Sequence, residues 1–301
     1  MNDYIKLYVE LMLESIDFND QCLLFRLSGP NQKIDHYSFS LRSGWTCPFA
    51  KKCLAKAVED PITKKRTISR GPNADMQCFS ASQEVLYPEV YQQREYNEKL
   101  AKIRLAKGPN EFANTMVQSI AENLPRGQKY FRIHVGGDFF NKQYLDGWLK
   151  VINAYPDITF YAYTKSYPYF ENLVLPSNFI VTHSLGGRYD NVIKKNRLKF
   201  AAIVYSEEEA QNYQWTDKNG QNRIGLEIDH DDSHAYSGDE PFALLIHGSQ
   251  PAGSEASKAV SALKKKAKDL ISKGQSAHGI GGYRPGEKTK RKPTGPLPDA
   301  T

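Results

Sequence analysis

From residue 129 onward the chain alternates between short apolar runs and amphipathic stretches. The runs are KYFRIHV (129–135), ITFYAYT (158–164), NFIVTHS (178–184), KFAAIVYS (199–206) and PFALLIHG (241–248). Apolar runs of this length, rich in β-branched and aromatic residues, predict strands. Between the first two, NKQYLDGWLKVINAYP places Leu145, Trp148, Leu149 and Ile152 on one helical face. Shorter helices are predicted at 168–175 and 207–213, and an amphipathic helix over 254–272. HYSFSL at 36–41 alternates as a strand should and gives a sixth strand, first in chain order. Strand and helix in alternation, with apolar strands, predict parallel β/α architecture. The expected fold is therefore α/β, a partial or complete parallel (β/α)6 barrel over 36–273. An extra N-terminal segment (1–35) is expected to pack on the barrel, and 274–301 to form a flexible basic C-terminal tail.

The first half of the chain is less regular. Residues 4–16 fit a helix with Lys6, Glu10 and Glu14 at four-residue spacing. CLLFRLSG reads as a strand ended by Gly29-Pro30. Residues 54–80 are polar, punctuated by Asp60-Pro61 and Gly71-Pro72-Asn73, and read as a loop. A helix is predicted from Ser80 to about Ala106, and another over 111–123, stopped by Pro125 and Gly127.

Composition narrows the class. With 301 residues, 40% hydrophobic and 25% charged, the chain is not a wholly disordered one. No stretch approaches the ~18 uncharged apolar residues of a membrane span. The opening Met1-Asn2-Asp3-Tyr4-Ile5-Lys6 lacks the basic region and apolar core of a secretory signal, so a cytoplasmic protein is expected. Four cysteines are too few for a disulfide scaffold, which leaves free thiols or metal ligands. The net charge of +6 is concentrated: from Lys258 to Thr301, eleven Lys/Arg face three acids, a local +8 that leaves the rest at −2. Lys288, Lys290, Arg291 and Lys292 form its densest cluster, so the tail is a candidate for salt-dependent contact with nucleic acid.

In parallel β/α barrels the working residues follow the carboxyl ends of the strands. Here the first strand leads into Ser43-Gly44-Trp45-Thr46-Cys47, with Cys53 and Cys78 in the same excursion. Three thiolates in one loop suit three irons of a [4Fe-4S] cluster, leaving one iron open, or zinc with a histidine. Cys22, inside an apolar run, reads as core. The second strand ends in Gly136-Gly137-Asp138, whose glycines allow close backbone approach by a ligand. Asp138 suits an ammonium or ribose hydroxyl, or caps the next helix. The third strand ends in Lys165, the fourth in His183 and Ser184 ahead of Gly186-Gly187, and the sixth in His247. His134 and His247 read as hydrogen-bonded core histidines. Asp229-His230-Asp231-Asp232-Ser233-His234 offers two histidines four apart with acids between, a candidate metal site if helical and otherwise a solvated acidic loop.

SFSLRSGWTCPFAKKCLAKA, GPNADMQCFSASQEVLYPEVYQQR and above all KYFRIHVGGDFFNKQYLDGWLKVINAYPDITFYAYTKS resemble the bacteriophage gene-product-88 family, as does PFALLIHG. The resemblance runs from about Ser38 to Gly248. It implies that Cys47, Cys53 and Cys78 belong to a recurring motif. The arrangement is also similar to radical S-adenosylmethionine (SAM) enzymes, which carry a six-unit β/α barrel, three cluster cysteines after the first strand and a Gly-Gly-acid motif after the second. This sequence departs from them in that Cys78 follows Cys53 by 25 positions. The resemblance implies a phage-encoded iron–sulfur enzyme of the infected cell's cytoplasm, acting on a nucleotide, nucleic acid or peptide, supplied with electrons by a host donor. Gly136, Gly137 and Asp138 would then meet the ammonium of SAM, Lys165 its carboxylate, and His183 and Ser184 its ribose. The other reading is a binding module with structural zinc on the same cysteines, its partner a nucleic acid or host protein.

Overall fold

The computed structural model describes residues 23–31, 34–275, 277 and 280. The predicted helix at 4–16, Cys22 and the tail cluster at 288–292 lie outside the described residues. The six predicted strands all form: β1 (Tyr37–Phe39), then, after a hairpin of β2 (Ala55–Glu59) and β3 (Arg66–Arg70), β4 (Tyr130–Ile133), β5 (Thr159–Thr164), β6 (Phe179–Ser184), β7 (Phe200–Val204) and, after a second hairpin of β8 (Gln214–Thr216) and β9 (Asn222–Ile224), β10 (Phe242–Leu245). They make one parallel sheet in the order β1-β4-β5-β6-β7-β10.

The helices are α1 (Phe79–Leu86), α2 (Pro88–Ala106), α3 (Pro109–Asn123), α4 (Lys142–Ala154), the short α5 (Tyr167–Phe170), α6 (Asp190–Lys195), α7 (Glu207–Gln211) and α8 (Ser233–Tyr236), and α9 (Glu255–Ser272). The single helix expected from Ser80 to Ala106 is broken at Tyr87-Pro88, because Pro88 lacks an amide to continue α1 and instead opens α2.

Period-two alternation sorts the strand residues onto two faces. Phe39, Phe131, Ile133, Phe160 and Ala162 face α3 and α4, where Phe112, Met116, Leu145 and the fully buried Trp148 complete the core. Beside it, Ala202, Val204, Ala243 and Leu245 pack on Val260 and Leu263 of α9. The opposite face carries Tyr161, Tyr163, Ile180 and Phe242, and α8 lies against it through Ala235 and Tyr236.

The sheet is open, and both of its edges are occupied. Ser28 takes the outer edge of β1 in a two-way antiparallel bridge with Ser38, at 2.8 and 2.9 Å. On the far edge, Asp229 N donates to Ala243 O at 2.9 Å and Ala243 N to Glu227 O at 2.8 Å. The backbone groups that would join β1 to β10 are thus spent on these two segments. The parallel sheet of the expected barrel forms, and these contacts hold its edges apart.

Three other expectations need correction. The described part of CLLFRLSG, residues 23–29, makes no strand beyond the Ser28 bridge, because side chains satisfy its backbone: Phe25 N donates to Ser119 Oγ at 2.8 Å and Arg26 N to Asn97 Oδ1 at 2.9 Å. The 54–80 stretch is not all loop, since it contains the β2–β3 hairpin. The acidic run at 229–234 is only partly solvated: Asp231 is exposed, but Asp229 and Asp232 are buried, and Asp232 forms an ion pair with Arg132 and accepts from Tyr161 Oη at 3.2 Å. α8 starts only at Ser233, so His230 and His234 do not share a helical face.

Candidate functional site

The excursion after β1 crosses the carboxyl ends of the strands. Ala50 bridges Gly187 in the loop after β6; Lys51 N and Lys52 N donate to Gly186 O at 3.1 and 2.9 Å, and Arg188 N donates to Phe49 O at 3.0 Å. Gly44 makes the turn that starts the crossing: its φ is +73°, and a Cβ there would lie 2.3 Å from Ala55 O. The excursion is pinned behind by Glu84 of α1, which accepts from Ser43 N and Arg94 Nη1, both at 2.9 Å. Its far end is clamped by the loop after β10. There Gln77 N donates to Gln250 Oε1 at 2.8 Å, and Gln250 Nε2 donates back to Gln77 O at 3.1 Å.

The three predicted cysteines come together here. Each is a half-buried free thiol. Burial pushes the Cys47 thiol well above its ordinary value, and Asp138, Cys78 and Cys53 push it further; Gly44 N, donating to Cys47 Sγ at 3.3 Å, opposes them. Burial and Cys53 raise Cys78 to about 11, against the amides of Ala81 and Ser80 at the start of α1. Lys165 stands among them. Burial acts to lower its ammonium, but Cys53, Asp138, Cys78 and Cys47 together hold it above the ordinary lysine value. Three thiols, one carboxylate and one ammonium therefore share one electrostatic neighbourhood at the mouth.

Asp138 is held rigidly. Its carboxylate accepts from Thr164 Oγ1 at 2.6 Å, Phe139 N at 2.7 Å and Lys165 N at 2.8 Å. A carboxylate has about four acceptor positions, so about one is left for a ligand. The glycines before it are required by the protein's own packing. A Cβ on Gly136 would lie 2.3 Å from Ser80 Oγ, and one on Gly137 (φ +86°) 2.7 Å from Thr46 Oγ1. Lys165 Nζ donates to Ser184 Oγ at 2.6 Å, which brings the ends of β5 and β6 together.

His183 does not join them. Being adjacent to Ser184 in β6, it points to the other face, where its ring packs on Tyr167 and Phe170 and burial lowers it to about 4. His134 bonds Tyr144 Oη at 2.8 Å in the core, and His247 packs on Phe79. Gly186 and Gly187 donate their amides to Asp190 at 2.8 and 2.9 Å, a turn fixed by the start of α6. Two surface clefts, of about 460 and 370 Å3, lie at the α3–β4 junction and between α7 and α9, and neither borders the thiols.

Sequence reasoning missed Arg132, whose charge is buried behind the sheet and paired with Asp232. An arginine between Phe131 and Ile133 in an apolar strand is itself a signal, since it must face away from them and find a partner. Among the described residues, no three His, Cys, Asp or Glu side chains are arranged to hold a single metal ion. No described helix is long and apolar enough to cross a membrane.

Residues 18–267 match the family described as Gene product 88. The Gene 88 protein of Mycobacterium phage L5 is 48% identical to this chain over 40 residues, and that of Mycobacterium phage D29 is 45% identical over 40 residues. Each alignment covers 13% of this chain and 17% of the relative, so the shared stretch spans less than a fifth of the relatives' length. No solved structure matches. With the family match covering most of its length, from the edge segment before β1 to α9, this chain belongs to the gene product 88 family.

Proposed function

We propose that this chain is an iron–sulfur enzyme of the infected cell that uses SAM, with its cluster on Cys47, Cys53 and Cys78. The observation that carries the reading is the gathering of three thiols, Asp138 and Lys165 at the carboxyl mouth of a parallel β/α sheet. The donor set fits such a cluster in kind. Burial raises the Cys47 and Cys78 thiols, and thiols so raised give up their protons to a strongly attracting cation, as a metal is. Four ligands on one zinc at ~2.3 Å would stand within ~3.8 Å of one another, whereas cluster thiolates sit on separate irons and spread wider.

When bound, a cluster with an open iron supplies an electron for reductive cleavage of the SAM sulfonium, chemistry that belongs to the cofactor. The chain's own residues would orient SAM. Lys165 Nζ donates one hydrogen bond to Ser184 and has donors left for a carboxylate. Asp138 has its remaining acceptor position for an ammonium, and the backbone at Gly136 and Gly137 borders the same turn. Ser184 would meet the ribose without His183, whose ring lies on the other face.

Anaerobic purification and reconstitution with iron and sulfide test the reading. The wild type is expected to be brown, with iron and sulfide in near-equal amounts, and Cys53→Ala to be colourless. A colourless wild type that holds one zinc per chain would instead support the zinc-bearing binding module.

A further inference from the structure

The charge of the chain outside its tail is unevenly placed. Residues 51–70 carry seven Lys/Arg against Glu59 and Asp60, a local +5 within residues 1–257, which sum to −2. The fold raises this stretch as the β2–β3 hairpin, directly continuous with the cysteine excursion. Acids neutralise part of it: Glu59 pairs with Arg66 at 3.0 Å and Lys64 at 3.9 Å, and Asp75 with Lys52 at 3.4 Å. Among the described residues, Lys51, Lys56, Lys65 and Arg70 have no carboxylate within 4 Å, and all but Lys56 are exposed.

Beside Lys56 on β2 stands Trp45, 45% exposed although it is among the largest apolar side chains. Its position is fixed: Nε1 donates to Ala57 O at 3.1 Å, and Lys56 Nζ and Arg42 Cζ lie 4.5 and 5.3 Å from the ring centroid. The indole is thus anchored at its edge with nearly half its surface open, two residues from Cys47. Arg42 is ion-paired with Glu95 and Glu98, but Lys56 has no carboxylate within 4 Å, and a rigid open ring next to such a cation, on a hairpin that carries more of them, matches one class of polymer. Single-stranded nucleic acid offers an unstacked base to the ring and phosphates to the cations. A duplex has no free base face, and an acidic peptide has no base.

We propose that Trp45 and the β2–β3 hairpin form a docking surface for single-stranded nucleic acid, which leads the strand to the mouth that holds the thiols. This names the substrate class of the proposed enzyme and rests on that reading for the chemistry only, because docking needs no cluster.

The test is fluorescence anisotropy of a labelled single-stranded 20-mer with the full chain at several salt concentrations. Replacing the exposed Lys51, Lys65 and Arg70 together with Ala should cost at least about tenfold in affinity at low salt. It should also make the log–log salt dependence shallower by about 2, at roughly 0.7 per phosphate contact. Trp45→Ala should weaken binding by about 5- to 150-fold and abolish quenching of tryptophan fluorescence by the 20-mer, while Trp45→Phe keeps most of the affinity. Cys53→Ala should bind as the wild type does; a colourless wild type with binding that depends on Trp45 would sink the enzyme reading and leave the docking surface standing. Poly-glutamate or duplex DNA bound as tightly as the single strand would overturn the proposal. So would an unaltered hairpin variant beside a loss confined to a chain with Lys288, Lys290, Arg291 and Lys292 changed to Ala.

Discussion

Asp138 is a buried carboxylate with three of its acceptor positions already taken by Thr164 Oγ1, Phe139 N and Lys165 N. Its first task is therefore to weld the turn after β4 to the end of β5, and any ligand contact is made by a group that packing has already aimed. Asp138→Asn should cost about 2–3 kcal/mol, because the amide nitrogen would be turned against buried donors and leave one unsatisfied. Urea unfolding at pH 7 measures it as a lowered midpoint with an unchanged slope. A variant as stable as the wild type would mean that the carboxylate is not committed to the fold. The residue scale also explains what was legible at this site. Cysteines, glycines and acids at strand ends stand out in a sequence. The anchored Trp45 does not, because its exposure depends on Ala57 and Lys56 coming back beneath it.

Elements were legible where their own pattern decided them. Five apolar runs after residue 129 and the alternating 36–41 stretch became the six strands of the sheet, in register with neighbours the β/α rhythm implies. The misreadings share one cause, a partner far away in sequence. CLLFRLSG has strand composition, but Asn97 and Ser119 supply its backbone bonds from 71 and 94 residues away. The β2–β3 hairpin looks polar because its inward side chains at Ala55 and Ala57 are small, and its buried face was invisible without α1 to cover it. The acids at 229–234 look solvated until Arg132, 100 residues earlier, claims Asp232. The segment before β1 is thus an integral part of the core. Phe25, 2% exposed, meets Phe39 at 5.3 Å and Phe112 at 5.2 Å between ring centroids. Phe25→Ala is expected to cost about 3–5 kcal/mol by the cavity it leaves. Thermal unfolding with a loss of under about 1 kcal/mol would show that the segment rides on the surface instead.

For the molecule as a whole, two buried histidines set the acid limit of stability. Burial and the Arg132 charge hold His134 down to about 3, and burial holds His183 down to about 4. In the unfolded chain both titrate near ~6.5. Both folded values are depressed, so their contribution is present above about pH 6.5 and is lost as the pH falls through 4 and then 3. Each contributes a slope of about 1.4 kcal/mol per pH unit inside that window, or about 2.7 together between pH 6 and 4. Urea titrations from pH 7 to 4 should show this, and His183→Leu, which keeps an apolar contact with Tyr167 and Phe170, should halve the slope. A profile that stays flat from pH 6 to 4.5 would exclude it. The parallel sheet itself was readable at this scale from its alternating elements. Its open edges were not, because they are set by Ser28 and by 227–229, two short segments with no strand pattern of their own.

The exchange of amide bonds between Gln77 and Gln250 has a consequence for how the protein is born. It joins the residue before Cys78 to one made 173 positions later. At ~5–20 residues per second, a ribosome needs roughly 10–35 s to cover that interval. For most of that time all three thiols have been synthesised, while the loop that clamps the Cys78 segment has not. The nascent chain therefore passes through a stage in which the Cys78 segment lacks its Gln250 clamp, and a chain that stops short of Gln250 never gains it.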